Sequence, residues 1–471
     1  MQKVKANVDF TEGRVFLKII WFILPIVATN LLQMLYNAAD MMLVSLSTEQ
    51  NAVGAIGMTG SFIHLIVNVF IGFSVGANVV VAREIGAKNR ERTQKAVHTS
   101  LIMAMVFGIA GMAIGLIITK PVLLYMGAQG SLLTLATTYT AIYFIGVPFL
   151  ALTNYLISIF RAKGDAKTPL VVLACTGLLN VGMNFFFVLA VGLSVEGVAI
   201  ATSLSNVASM AILLIKLRRD QDYTTFSWRQ LRVDKEAFKD IVKNGLPAGV
   251  QGALFSLSNV LIQSSIVSVN NALSPVDRVY DPIVNGNAAA ANIEGFVYTA
   301  MNAVYQGAIT VSSQNIGAGK PQRIKRIMYG CFLIVTLIGV VLSGVAFILR
   351  EPLLALYGVK SGGEGSLEAL AMYAAITRFH YILLPYFLCG VMDVTSGILR
   401  GLGRSFTSMM ISLVGACLFR IVWLWTAFAS SPTLEVVFVS YPISWILTFA
   451  VAFIVIQVLL KKILKNAEKS V

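Results

Sequence analysis

Charge is what this chain has least of. Asp, Glu, Lys and Arg make up 12% of its 471 residues, against 57% hydrophobic residues and a mean hydropathy of +0.79. A soluble domain carries about 25% charged residues, so that class is excluded and a polytopic membrane protein is expected. Cysteine is nearly as scarce. Cys175, Cys331, Cys389 and Cys417 all lie in apolar runs and form no C-x-x-C pair, which excludes a disulfide framework and a zinc site. The three histidines, His64, His98 and His380, stand alone, and no His/Cys cluster has metal-ligand spacing. There is no Walker A pattern, so nucleotide hydrolysis does not drive the molecule. Enzyme chemistry has no support in these residues, and no cofactor is expected. No short apolar run ending in a small-residue cleavage site follows the polar start MQKVKANVDFTEGRVFLK, so the first apolar segment is read as a retained span.

What is present is a series of apolar runs of bilayer length. At roughly 20 residues per span the expected cores are 19–45, 53–80, 97–119, 133–160, 169–190, 197–217, 246–269, 288–314, 328–349, 369–399, 407–429 and 436–460. That is an all-α integral membrane fold of twelve transmembrane helices. The formal net charge of +14 is explained by where the basic residues fall. Arg83–Lys95, Arg161–Lys167, Lys216–Lys243, Lys320–Arg326, Arg400–Arg404 and Lys461–Lys469 occupy one set of connections. The alternate set holds only Lys120, Arg278, Arg350 and Lys360. This asymmetry puts both termini and the even-numbered connections in the cytoplasm. It points to a lipid bilayer as the partner, and not to nucleic acid.

The connection around 218–245 is long, polar and mixed in charge, and Trp228 and Phe238 suggest that part of it lies at the interface as an amphipathic helix. It separates an N-lobe (1–217) from a C-lobe (246–471). On the far side, Asn270–Asn287 reads as an irregular loop. The two lobes repeat. GANVVVAREIGAKNRERTQK from Gly76 and GAITVSSQNIGAGKPQRIKR from Gly307 lie 231 residues apart and share Gly76, Ala77, Val80, Ile85, Gly86, Ala87 and Arg92. NYLISIFRAKGD from Asn154 answers DVTSGILRGLGR from Asp393, and Pro25 answers Pro247. Three matches in order indicate duplication into two pseudo-symmetric six-helix lobes. With an even number of spans each, the lobes point the same way, and such a pair places its substrate in a central cleft.

The first span is polar where lipid would not tolerate it. Asn30, Gln33, Asn37 and Asp40 share one helical face. A carboxylate at membrane depth costs roughly 2.5–3.5 kcal/mol on insertion scales, so Asp40 marks function unless it sits in headgroup water at the helix end. Asn180 and Asn184, one turn apart, and Thr202 supply further oxygens, and the four residues are candidates for one cation-coupling pocket. A carboxyl withdrawn from water keeps its proton to higher pH, which suits proton coupling. The competing reading of the asparagines is interhelical hydrogen bonding, worth about 0.6 kcal/mol each. Asp393 is either a second coupling acid or one member of a structural pair with Arg420 or Arg378. Glu294, Tyr298 and Asn302 form an acid–phenol–amide stripe suited to amphipathic cations, with a structural role for Glu294 as the competitor. Gln33, Tyr36, Asn37, Asn154, Arg378 and Arg420 complete the substrate-cleft candidates, and Pro25 is the candidate hinge.

Several segments together resemble one family. They are LPIVATNLLQMLYNAADMMLVS from Leu24, GFSVGANVVVAREIGAKNRERTQKAV from Gly72, FRAKGDAKTP from Phe160, GNAAAANIEGFVYTAMNAVYQG from Gly286, SSQNIGAGKPQRIKR from Ser312 and LRGLGRS from Leu399. On these the chain resembles a bacterial multidrug and toxic compound extrusion (MATE) transporter, nearer the DinF-like than the NorM-like branch. The resemblance covers nearly the whole chain. It implies two six-helix lobes in a V around a central chamber, a monomer in the bacterial cytoplasmic membrane, and export of small molecules in exchange for H+ or Na+. It also implies an N-lobe cation site at positions matching Asp40, Asn180 and Thr202. At a fourth position the family often has Asp where this chain has Asn184, which argues against tight Na+ binding and leaves Asp40 as the titrating group. The NorM-like C-lobe acid on helix 7 is absent around Phe255–Ser256, while Asp393 matches its partner. The alternative function is a flippase of a lipid-linked or anionic precursor, for which Arg378 and Arg420 are the only candidate contacts.

Overall fold

The computed structural model describes residues 8–44, 52–274, 280–363 and 365–468, and every regular element in them is helical. Twelve long helices follow in order: α1 (Val15–Val44), α2 (Ala52–Gly86), α3 (Arg90–Tyr125), α4 (Gly130–Ala162), α5 (Lys167–Ala190), α6 (Val195–Arg219), α7 (Lys235–Leu273), α8 (Pro282–Gly317), α9 (Ile324–Ile348), α10 (Leu367–Leu383 with Phe387–Gly401), α11 (Ser405–Phe428) and α12 (Leu434–Glu468). Ten of these carry an apolar stretch long enough to cross a bilayer, and the bent α10 makes an eleventh. The remaining helix, α8, has the length to span, at 36 residues. Its sequence is too rich in Asn, Ala and Gly to read as lipid-facing, and a polar helix survives at that depth only where protein covers it.

The helices outrun their apolar cores. α3, expected over 97–119, starts at Arg90, where Asn89 caps it by accepting the Arg92 N–H at 3.0 Å. Hydropathy registers only the hydrocarbon crossing, while helical hydrogen bonding continues into the polar flanks. The same effect removes the separate amphipathic helix expected in the 218–245 connection. Phe238 lies in the first turns of α7, and Trp228 only opens a single 3-10 turn, Trp228–Gln230. On the far side, α7 runs to Leu273 and α8 begins at Pro282, so the irregular loop is shorter than expected; residues 275–279, including Arg278, lie outside the described residues. The tenth span is not one rod. It turns by 45° between Leu383 and Phe387, at Pro385, whose ring and missing N–H cannot continue a helix.

The contacts divide into two compact units. The first holds the chain up to Gly252 together with Thr310–Lys320; the second holds Ala253–Ile309 and Pro321 onward. In the first, Val80, Val97, Tyr155, Phe160 and Leu217 belong to one buried apolar cluster. Lys163 at the end of α4 is buried, stacks over Phe160 at 4.4 Å and bridges to Asp220 and to Asp222, the latter at 3.1 Å. Withdrawing a charged group from water is costly unless such opposite charges pair with it. In the second unit, Ile262, Ile266, Phe438 and Trp445 belong to the core.

Candidate functional site

Three helices of the first unit bring Asp40, Asn180, Asn184 and Thr202 together. The close approach of α1 to α5 is made by a glycine. Tyr36 lays its ring on Gly177, where a Cβ would fall 1.8 Å from Tyr36 Cε2, and its hydroxyl donates to the Ala174 carbonyl at 3.1 Å. Four residues on from Tyr36, Asp40 faces the same side of α5. Asn184 Nδ2 donates to Asp40 Oδ1 at 2.5 Å, and Thr202 Oγ1 donates to Oδ2 at 3.4 Å. Asn180 fits best with its amide turned so that Nδ2 donates to Asp40 Oδ1 at 2.9 Å and its oxygen accepts the Thr202 N–H at 3.2 Å. Amide nitrogen and oxygen are told apart only by such partners.

Asn180 and Asn184 are buried, and Asp40 is half-buried among them, not solvated at a helix end. One feature of the pocket is unsatisfied. Asn184 Oδ1 is buried and has no hydrogen-bond partner among the described residues. A buried acceptor without a donor is costly, and here it stands beside a carboxylate. The pocket thus has room in its chemistry for one more positive or donating group. The helix ends its α-form at this point: residues Phe185–Ala190 continue α5 as a π-helix, a distortion that recurs at functional sites. Two residues missed in the sequence belong to the surroundings. Tyr139 and Tyr143 of α4 lie within electrostatic reach of Asp40. Their four-residue spacing was the available signal.

The other first-half candidates do not join the pocket's hydrogen bonds. Gln33 and Asn37 are exposed on α1, and Asn154 spends its amide on the Leu150 carbonyl of its own helix at 3.0 Å. Pro25 lies inside α1, where the Thr29 hydroxyl donates to its carbonyl at 2.7 Å. A proline in this place leaves one backbone bond of the helix unmade and so favours a bend there.

In the second unit the charges sort themselves differently from the pairings weighed above. Arg378 pairs with Glu294, not with Asp393. Its Nε and Nη2 lie 3.0 and 2.7 Å from Glu294 Oε2, and Nη1 lies 2.8 Å from Asn287 Oδ1. Glu294 is buried and its Oε1 has no hydrogen-bond partner among the described residues. Arg420 is also buried. It donates from Nε to Ser444 Oγ at 3.0 Å, stacks 4.0 Å from the Tyr441 ring, and has no carboxylate partner among the described residues. Asp393 is within electrostatic reach of Arg400 and the Tyr298 hydroxyl. Asn302 links Tyr298 (3.4 Å) to Gln306 (2.7 Å). Arg378 immediately precedes one π-helical stretch and Arg420 lies between two others.

The sequence profile of the MatE family matches residues 25–186 and 282–426. Among curated proteins the chain is similar to the probable multidrug resistance protein YoeA of Bacillus subtilis, 27% identical over 83% of this chain and 82% of the relative. It is similar to the multidrug export protein MepA of Staphylococcus aureus, 20% identical over 89% of each chain. Among solved structures, the outward-facing conformation of a multidrug resistance MATE family transporter of the MOP superfamily superposes with a TM-score of 0.87. It is 20% identical and covers 98% of this chain and 100% of that one.

Proposed function

The chain belongs to the MatE family, and from that premise we propose that it is a secondary antiporter that exports amphipathic, often cationic, small molecules against an inward flow of H+. The names of its relatives favour multidrug efflux as the class of transport. The observation that carries the coupling is the pocket of Asp40, Asn180, Asn184 and Thr202, with its unsatisfied Asn184 oxygen. Protonation of Asp40 removes the only formal charge among these four residues. It also turns one carboxylate oxygen from an acceptor into a donor, which the Asn184 amide can accept if it turns over. A pocket whose hydrogen bonding differs between the two protonation states has two preferred packings of α1 against α5 and α6. Pro25 lets the rest of α1 follow.

A second reading, Na+ coupling at Asp40, Asn180 and Thr202, has its own support. The same three residues each carry a side-chain oxygen, the ligand type that hard cations prefer, with the Asn180 amide turned over to present its own. Orientation with both termini in the cytoplasm rests on the basic connections. Export of an anionic precursor draws less support, because the Arg378 guanidinium is committed to Glu294 and Asn287 and only Arg420 remains.

The test is reconstituted flux with H+ and Na+ gradients imposed separately. Asp40→Asn is expected to abolish ion-driven efflux while the protein keeps its fold and its binding of substrate. Undiminished proton-driven efflux in that variant rules out the coupling role.

A further inference from the structure

The cytoplasm-directed end of α8 is held by the opposite half of the chain. Thr310–Lys320 packs with the first unit, although the rest of α8 belongs to the second. The helix crossing there is pseudo-symmetric. A Cβ at Gly86 would meet the Gln314 carbonyl at 2.0 Å, and one at Gly317 would meet the Arg83 carbonyl at 1.8 Å. Gly86 and Gly317, like Arg83 and Gln314, occupy equivalent places in the duplication 231 residues apart. Each half thus offers the same glycine to the same carbonyl of the other. Gln314 adds a hydrogen bond to the Ala162 carbonyl at 2.7 Å, and Thr310 one to Asn78 at 3.1 Å.

One element breaks this symmetry. The segment preceding α1 is not a solvated tail. Phe10 is fully buried and meets Phe22 edge-on at 5.0 Å. Asn315 Nδ2 donates to the Phe10 carbonyl at 3.2 Å, and Lys320 Nζ donates to the Thr11 carbonyl at 3.0 Å. Lys18 ties the other side of the turn through the Asp9 and Glu12 carbonyls at 2.6 and 2.9 Å. Beside the segment lies a cavity of about 300 Å3 lined by Val8, Trp21, Phe22, Pro25 and Lys167 among others, so the segment borders open space on the side of the α1 proline.

We propose that residues 8–13 are a strap that clamps the end of α8 onto the first half, and that this end can leave only when the strap lets go. The inference rests on the transport function proposed above, in which α1 moves between two packings. The crossing of Gly86 and Gly317 sets where the two helices touch. The strap sets how readily they part, because its bonds to Asn315 and Lys320 lie outside the crossing and are lost as soon as α8 withdraws. Because the strap is continuous with α1, its release is tied to the helix that bears Pro25 and Asp40.

The test uses the full chain in lipid nanodiscs, with a Ser313→Cys reporter on the buried face of the α8 end and a Ser343→Cys reporter buried in α9. Maleimide labelling at each is read by peptide mass spectrometry. In Phe10→Ala, which loses the buried ring, and in Lys320→Met, which loses the hydrogen bond to the Thr11 carbonyl, the reporter at 313 is expected to label about fivefold faster or more through a shifted local opening equilibrium. The reporter at 343 is expected to stay at its parent rate. Labelling at 313 within about twofold of the parent in both variants overturns the strap, and so does an equal rise at both reporters. If Phe10→Ala does not fold, Asn315→Leu takes its place. Labelling needs neither substrate nor ion gradient, so failure of the coupling scheme at Asp40 leaves this result standing.

Discussion

Removing Arg378 is the perturbation whose cost the structure specifies best. Its guanidinium satisfies Glu294 with two hydrogen bonds to one oxygen and Asn287 with a third, at 3.0, 2.7 and 2.8 Å. Glu294 is only 2% exposed, so water cannot replace the lost partner. Breaking a buried pair by deleting one member costs about 3–5 kcal/mol, because the other charge stays in the interior uncompensated. Arg378→Met should therefore lower the folding free energy by about that amount, roughly two to three and a half decades in the equilibrium constant. Replacing both members is different. The double variant Arg378→Met with Glu294→Leu removes the stranded charge and should recover to within about 1–2 kcal/mol of the parent. Equilibrium unfolding in mixed detergent micelles, followed by tryptophan fluorescence, to which Trp423, Trp425 and Trp445 of the same half contribute, measures both. If Arg378→Met costs less than about 1 kcal/mol, or the double variant is no better than the single one, the pair is not a desolvated structural unit. In that case Glu294 returns as a candidate for receiving a cationic substrate.

Other outcomes follow from single contacts. Gly177→Ala pushes a methyl into the Tyr36 ring and should cost about 1–3 kcal/mol through separation of α1 from α5; Tyr36→Ala in the same chain should relieve most of it, and thermal denaturation in detergent compares the two. Asn184→Asp places a second carboxylate beside Asp40 and should make efflux Na+-dependent; unchanged ion preference in reconstituted flux goes against the missing-ligand argument. Asp9 fixes the strap's turn by accepting from the Thr11 N–H and hydroxyl at 2.8 and 2.6 Å. Burial pushes its carboxyl up, but the Thr11 hydrogen bonds and the charges of Lys18 and Lys88 outweigh this and hold it below the ordinary 3.8. A carboxyl with a lowered folded value contributes stability above its unfolded value and loses it as pH falls through the folded one. Labelling at residue 313 relative to that at residue 343, a ratio that cancels the common thiolate dependence, should thus be flat from neutral pH down toward 3.8, and an Asp9-dependent step in that ratio near neutrality contradicts this.

The parts of the site that were legible in the sequence are those that a single helix encodes. Asn30, Gln33, Asn37 and Asp40 declare a polar face by spacing alone, and Asn180 with Asn184 does the same. The duplication showed Gly86 and Gly317 to be equivalent positions of the two repeats, though not that they meet at one crossing. What was not legible depends on contacts between helices distant in the chain. Nothing local tells Arg378 to choose Glu294, 84 residues away, over Asp393 on its own span. Tyr139 and Tyr143 looked like ordinary span residues until α4 was packed near α1. Phe238 was misplaced because an amphipathic interface helix and the polar first turns of a long span share the same composition. The π-helical stretches around Asn184, Arg378 and Arg420 have no pattern of their own in sequence. The strap was invisible for a related reason: a short polar segment before a span reads as solvated, and only the Asn315 and Lys320 side chains show that it is held.

The central claim, that Asp40 trades a proton for the transport step, is tested most directly by counting protons. Purified protein in a weakly buffered detergent solution near neutral pH is mixed with a transported amphipathic cation, and released acid is followed with a pH indicator. The account predicts proton release of up to about one per chain from the parent protein and none from Asp40→Asn that still binds the compound. Equal release from both would contradict it.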